Sequence, residues 1–408
     1  MKKTITLCIT ILVCITSHAQ TKKVLFLGNS FTYTFDIPNL FLQMANNAGA
    51  SVFVDSYTQA GIAVANEQIT GHINDPLAQA KITAQPWDYV VVQDNMGDYV
   101  NSAGIPSACG SANVTLYNQI KANNACTRII YFSGWGPAAG VFTGDNAQAC
   151  IDRIFTNMLY LNNNIGHEIV CPIGKAWNAS FAALPSVNLY YSDNVHPSLE
   201  GSYLAAATLF TTILKRNPSG LTYTGGVNAT TAQTMQNLAY TAVTSLPNYT
   251  TTLLSNFTPS ITVSGNTLTA SSGSAGSLFQ WLLNGTNVAT GNPIVATASG
   301  TYVVVRTNTV GCSFTSWQTP VTITTTGINE HAFLNEVSIY PNPSTGLLNI
   351  NFKTNASTHK IEITNALGQL IKSVISLEPS VNIDLKGISN GVYYVKADNE
   401  TPLIWVKE

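Results

Sequence analysis

Ser30, in the string LFLGNSFT at 25–32, follows an apolar run and sits at a sharp turn. Far along the chain, YSDNVHPSLEG at 191–201 puts Asp193 three residues before His196, with Pro197 next. A serine hydroxyl is a weak nucleophile until a base takes its proton. An imidazole does this near neutral pH, and a carboxylate fixes its tautomer and steadies the imidazolium. The three residues are therefore the minimum kit for acyl transfer. Pro197 disfavours a helical conformation at His196 and suits the first turn of a following helix. The imidazole is expected to project from a loop anchored by a helix start.

Acyl transfer also needs donors aimed at the developing oxyanion. The Ser30 N–H is one candidate. Gly61, in TQAGIAVAN, is a second, where the chain must approach closely. VVVQDNMGD adds a side-chain amide, from Asn95 or, as runner-up, Gln93. Trp135, in FSGWGPAAGVF, and Trp177 and Tyr191, on segments approaching the same rim, are candidates to line a substrate pocket. Trp87 and Tyr89 read as packing residues before a buried strand. His72 and His167 read as structural or solvent-facing.

The elements that must carry these residues alternate along 21–255. Short apolar runs stand at Val24–Leu27, Val52–Val54, Tyr89–Gln93, Ile129–Phe132 and Ile169–Pro172. Helical patterns lie near 37–48, 62–80, 111–124, 146–163, 198–216 and 230–245. This alternation predicts a parallel sheet covered on both faces. Such sheets bind ligands beyond the carboxyl ends of their strands, where Ser30 falls.

After Leu254 the texture changes. Residues 257–325 are rich in Thr, Ser and Gly, with turn signals every ~8–12 residues, as in a small β-sandwich. Trp281 is its expected core aromatic. TITTTGINEHA at 322–332 reads as a linker, and 335–408 is again β-patterned.

The chain has 408 residues and a net charge of −2, so two to four domains are expected and a nucleic-acid partner is not. Only 9% of residues are charged, well below the soluble average, a secreted or surface flavour. Lys2, Lys3, an apolar stretch over 4–16 and Ser17-His18-Ala19 read as a signal peptide spanning 1–19. No later segment approaches a membrane span. Beyond that leader five cysteines remain: Cys109, Cys126, Cys150, Cys171 and Cys312. The first four share a domain and could form two bridges in three connectivities, leaving Cys312 over. No cysteine or histidine spacing suits a metal, so no metal and no cofactor are expected.

Two resemblances add to this reading. LGNSFT, Gly61, QDNMGD and SDNVHP stand where the SGNH/GDSL hydrolase superfamily carries its blocks I, II, III and V. Asn29 replaces the usual Asp, and Gln93 replaces the block III glycine. The resemblance spans about 20–250. It implies a flavodoxin-like three-layer α/β/α domain, with Ser30, His196 and Asp193 catalytic and Ser30, Gly61 and Asn95 holding the oxyanion. YPNPSTG, NALGQ, GISNGVYYVK and the Lys407-Glu408 end resemble the C-terminal sorting domain of the type IX secretion system of Bacteroidota. That implies type IX machinery as a partner, outer-membrane translocation and removal of the tail. Residues 257–325 resemble Ig-like repeats of surface proteins from the same bacteria. A bridge within that domain is excluded, since it holds only Cys312.

The expectation is a leader at 1–19, a hydrolase domain at 20–255, an Ig-like domain at 257–325, a linker at 326–334 and a sorting domain at 335–408. The expected activity is that of a secreted serine esterase for short acyl groups, acetyl above all, on a small-molecule or polysaccharide substrate. Two other readings fit the same sequence. One is an inactive surface glycan-binding protein, and the other is an esterase of the lipase or lysophospholipase type.

Overall fold

The computed structural model describes residues 21–64, 71–100, 104, 106–245, 258–271, 275–323, 337–353, 358–398 and 401–408. The expected leader and the expected 326–334 linker lie outside the described residues. Two compact units divide the chain, 1–324 and 325–408.

The first unit opens with five parallel strands: β1 (Lys22–Gly28), β2 (Val52–Thr58), β3 (Tyr89–Val92), β4 (Arg128–Phe132) and β5 (Ile169–Cys171). Their order is β2-β1-β3-β4-β5, the flavodoxin-like arrangement. Val24 to Leu27 are fully buried, as a central strand covered on both faces requires. The helices are α1 (Ser30–Tyr33), α2 (Ile37–Asn47), α3 (Pro76–Thr83), α4 (Ser107–Asn123), α5 (Ala147–Ile165), α6 (Ile173–Ala183), α7 (Leu199–Leu214) and α8 (Ala229–Thr244). One group packs α2 and α8 against α7, with α6 beside them; α3, α4 and α5 form the other. Helix α7 is buried from Gly201 to Ile213.

Three expectations shift. The helix expected over 62–80 begins only at Pro76, capped by the Asp75 side chain on the Leu77 and Ala78 amides; 65–70 lie outside the described residues. Helix α6 is an addition to the helical patterns of the sequence. Pro197 precedes the cap of α7 instead of entering its first turn, and Ser198 Oγ accepts the Gly201 N–H.

The same unit contains the Ig-like sandwich. One sheet pairs β6 (Ile261–Ser264), β7 (Thr267–Ala270) and β10 (Ile294–Val295). The other holds β8 (Leu278–Leu283), β9 (Thr286–Thr290), β11 (Gly300–Thr307), β12 (Ser313–Thr315) and β13 (Thr319–Val321). Trp281 is fully buried between them with Leu268, Tyr302 and Val304.

Cys126 and Cys312 form a disulfide across 186 residues. Cys109, Cys150 and Cys171 are free and buried. This corrects the expectation of bridges confined to the first domain with Cys312 left over. The reason is tertiary: the sandwich packs against the amino-terminal edge of the parallel sheet. Arg128 lies over the Phe314 ring at 5.9 Å, Lys215 over Trp317 at 5.8 Å, and Tyr240 meets Trp317 edge-on. Ser30 is at the opposite, carboxyl-terminal edge. In the chain-entropy account a bridge closing so long a loop stabilises by up to about 5 kcal/mol, and its removal typically costs about 2–5 kcal/mol. The Cys126→Ser/Cys312→Ser chain is therefore expected to unfold at lower urea than the oxidised parent, with unchanged ester turnover. Coincident unfolding curves would contradict the clamp.

The second unit has seven strands among its described residues. A three-stranded sheet holds β14 (Val337–Tyr340), β15 (Leu347–Phe352) and β18 (Ser380–Asp384). A four-stranded sheet holds β17 (Leu370–Ser376), β16 (His359–Asn365), β19 (Gly391–Ala397) and β20 (Leu403–Lys407), in that order. Ile350, Ile361, Ile363 and Trp405 are fully buried in the core they share.

Candidate active site

Strand β1 ends at Gly28, and the chain turns at once into α1. Asn29 caps that helix: its Oδ1 accepts the Phe31 N–H at 3.0 Å. Gly28 is required by close approach, because a Cβ there would lie 2.4 Å from Thr32 Oγ1 and 2.9 Å from Gln93 Oε1. Ser30 is thus the first residue of a short helix at the carboxyl edge of the sheet, half-buried.

His196 reaches Ser30 from 166 residues further along the chain. Its Nε2 is 2.7 Å from Ser30 Oγ, and its Nδ1 is 2.6 Å from Asp193 Oδ2. An ionised carboxylate only accepts, so Nδ1 carries the proton and Nε2 is left to accept from the serine hydroxyl. The other carboxylate oxygen accepts the Val195 and His196 amides, both at 2.9 Å. The His196 hydrogen bond, then these amides, hold the Asp193 carboxyl down to about 2.

The 189–198 loop is fixed at several points. Tyr191 donates its N–H to His196 O at 2.8 Å, and Ser198 donates to Leu189 O at 2.8 Å. Asn194, with φ of 60°, accepts the Ala138 N–H at 3.0 Å. Trp135 Nε1 donates to Val195 O at 3.0 Å. Gly201 lets α7 close on this loop, since a Cβ would lie 2.3 Å from Leu189 O.

Trp135 and Trp177 are fully buried and stacked at 4.0 Å. Phe31 stacks on Trp135 at 5.3 Å and presents its ring to His196 edge-on. The expected pocket role for the two tryptophans is therefore corrected. They form a dry floor that steadies the serine turn and the histidine loop, and no face is open to a ligand. Tyr191 is exposed, with the Phe35 ring 6.2 Å away.

The oxyanion candidates divide. Gly61 has φ of 68° and lies in the loop after β2. That loop is tied to the serine turn through Asn29 Nδ2 and Ile62 O at 3.0 Å. Gln93 is buried and spends its amide inside the protein. Its Oε1 accepts the Asn29 N–H at 2.8 Å and the Thr32 hydroxyl at 2.9 Å, and its Nε2 donates to Asp94 O. Gln93 is thus an anchor of the serine turn, not a donor to substrate. The Asn95 oxygen accepts the Gly97 N–H, and its side chain also bonds the Asp98 carboxylate. The structure gives Asn95 a capping role for the 96–99 turn and, among the described residues, no hydrogen bond to Ser30, His196 or Asp193. His72, expected to be structural or solvent-facing, is fully buried, and burial lowers its pKa to about 4.

Residues 338–407 match the family described as the secretion system C-terminal sorting domain. The tail is a secretion-system sorting domain. The chain that carries it is exported to the cell surface or beyond, and among the described residues no helix is long and apolar enough to cross a membrane. No curated protein matches the chain. Among solved structures, a DUF4886-family protein from Bacteroides uniformis is 19% identical, over 55% of this chain and 95% of that one, with a TM-score of 0.47. A protein described as an SGNH hydrolase, from Slackia heliotrinireducens, is 25% identical over 48% and 100%, with a TM-score of 0.37. One described as a GDSL-like lipase, from Parabacteroides merdae, is 17% identical over 47% and 94%, with a TM-score of 0.36.

Proposed function

We propose that this chain is an exported serine hydrolase of carboxylic esters. The observation that carries the reading is the unbroken relay from Ser30 Oγ through the His196 ring to Asp193, with contacts of 2.7 and 2.6 Å. Ser30 Oγ attacks the ester carbonyl while its proton passes to His196 Nε2. The tetrahedral oxyanion meets the Ser30 and Gly61 N–H groups. On collapse the C–O bond to the alcohol breaks, and Nε2–H protonates the leaving oxygen. Water then gives a proton to Nε2 and attacks the acyl-serine, which releases the acid and restores Ser30. Asp193 keeps the imidazole in the right tautomer throughout and steadies its charged form.

The substrate we propose is an ester of a short acyl group, acetyl above all, on a bulky alcohol such as a carbohydrate. Asp193 and Tyr191 are exposed and His196 is half-exposed, so a polymer-borne ester can reach the nucleophile. The tryptophans that would line a long acyl channel are packed away in the floor. An assembled relay also speaks against an inactive glycan binder.

The test is a series of p-nitrophenyl esters from acetate to dodecanoate, run beside acetylated polysaccharides. The account expects kcat/KM to be highest for acetate and at least about 10-fold lower by octanoate, since each added methylene must find its own contacts. A rate that climbs with chain length overturns the acyl assignment. Absence of turnover on every ester overturns the esterase itself.

A further inference from the structure

Asp94 is the residue after Gln93 at the carboxyl end of β3, and it is only 2% exposed. Its Oδ1 accepts the Val64 and Asn95 amides, both at 2.8 Å. Its Oδ2 accepts the Tyr99 hydroxyl at 2.7 Å, Asn113 Nδ2 at 3.0 Å and the Cys109 thiol at 3.5 Å. Among the described residues no lysine or arginine pairs with it. A buried carboxylate is costly unless donors satisfy it fully, and here five donors do so.

What those donors belong to gives the arrangement its meaning. Val64 lies three residues beyond Gly61 in the segment after β2, and Ile62 of the same segment is held by Asn29 beside the nucleophile. Asn95 begins the turn after β3. Tyr99, Cys109 and Asn113 belong to that turn and to α4, which lie behind the site. Gln93 grips the serine turn while Asp94 grips the Gly61 loop. Two adjacent residues that directly follow β3 therefore set the spacing between the serine turn and the Gly61 loop.

We infer that Asp94 is a positioning residue for ester cleavage: through the Val64 amide it holds the Gly61 loop where its N–H meets the oxyanion. This deepens the acyl-transfer reading of Ser30, His196 and Asp193 and rests on it. A carboxylate is suited to the task because each oxygen takes several N–H or O–H donors at once. A neutral side chain of that size cannot hold both the loop and the α4 side.

The experiment compares Asp94→Ala with the parent chain on p-nitrophenyl acetate, with active sites counted by end-point titration with a fluorophosphonate. Counting sites removes the effect of misfolded protein. A loop displaced by about 1 Å costs on the order of 100-fold. The inference expects kcat per titrated site to fall by about that factor, with KM within about twofold. The inhibition constant of phenylboronic acid, a tetrahedral mimic, should rise in parallel, as a residue that only supports folding would not require. Asp94→Asn keeps an acceptor for Val64 and Asn95 but sets an NH2 against Asn113, so an intermediate loss of about 10-fold is expected. If Asp94→Ala does not fold, that variant decides by the same readouts. A kcat per titrated site within about threefold of the parent, or a boronate constant that does not move, overturns the inference. A parent chain that is not titrated at all overturns the Ser30 reading instead.

Discussion

Ser30→Ala is expected to lower kcat for p-nitrophenyl acetate by at least about 10⁴-fold, because losing a triad nucleophile removes the covalent route and leaves only oxyanion stabilisation and binding. The serine hydroxyl contacts His196 alone in the triad, at 2.7 Å, while the turn itself is held by Asn29, Thr32 and Gln93. The variant should therefore fold normally, with an unchanged urea midpoint. Steady-state kinetics beside an unfolding curve checks both halves of that statement. A loss of less than about 10-fold would place the chemistry elsewhere.

Asp193→Asn is the second large effect, expected at about 10³- to 10⁴-fold in kcat. The asparagine oxygen can still accept the Val195 and His196 amides, so the loop keeps its shape. The NH2 then faces Nδ1 as a donor and forces Nδ1 to accept. The ring proton moves to Nε2, where it points at Ser30 and blocks proton removal. Asp193→Ala would also loosen the loop, so a larger loss from Asn than from a loop change elsewhere identifies the tautomer as the cause. In the parent chain the carboxyl is depressed from its ordinary 3.8 to about 2, chiefly by the His196 hydrogen bond. A depressed acid adds stability that is fully present above its unfolded value and lost as pH falls toward the folded one. Asp193 therefore stays ionised at pH 4, and a rate profile should show no limb from it between pH 4 and 8.

The sheet and most helices were legible because their residues report on themselves. Val24–Leu27 is a run too apolar to face water, and the 146–163 pattern became α5 within two residues at either end. Helix α6 was not legible: it has no side-chain cap, and its Gly174 and small residues blur the apolar stripe. The Asp75-Pro76 pair is the helix start inside the 62–80 pattern.

The Ser30–His196–Asp193 contacts were legible for a different reason. Asp193 and His196 lie three apart on one loop, and Ser30 marks a turn after a strand. What stayed hidden was everything decided by partners distant in sequence. Trp135 has the sequence position of a rim residue, but Trp177 and Phe31 stack on it. Gln93 is the runner-up oxyanion donor by sequence position, but its amide oxygen holds Asn29 and Thr32. Asp94 stayed hidden because three of its donors lie well along the chain, at residues 64, 109 and 113. Cys126 and Cys312 paired for the same reason, across two domains that periodicity can only read one at a time.

The most direct measurement is covalent: treat the whole chain with a fluorophosphonate, digest it and locate the adduct by mass spectrometry. The account predicts one adduct per chain, on Ser30, and none in Ser30→Ala. An unmodified chain, or an adduct on any other residue, would contradict it.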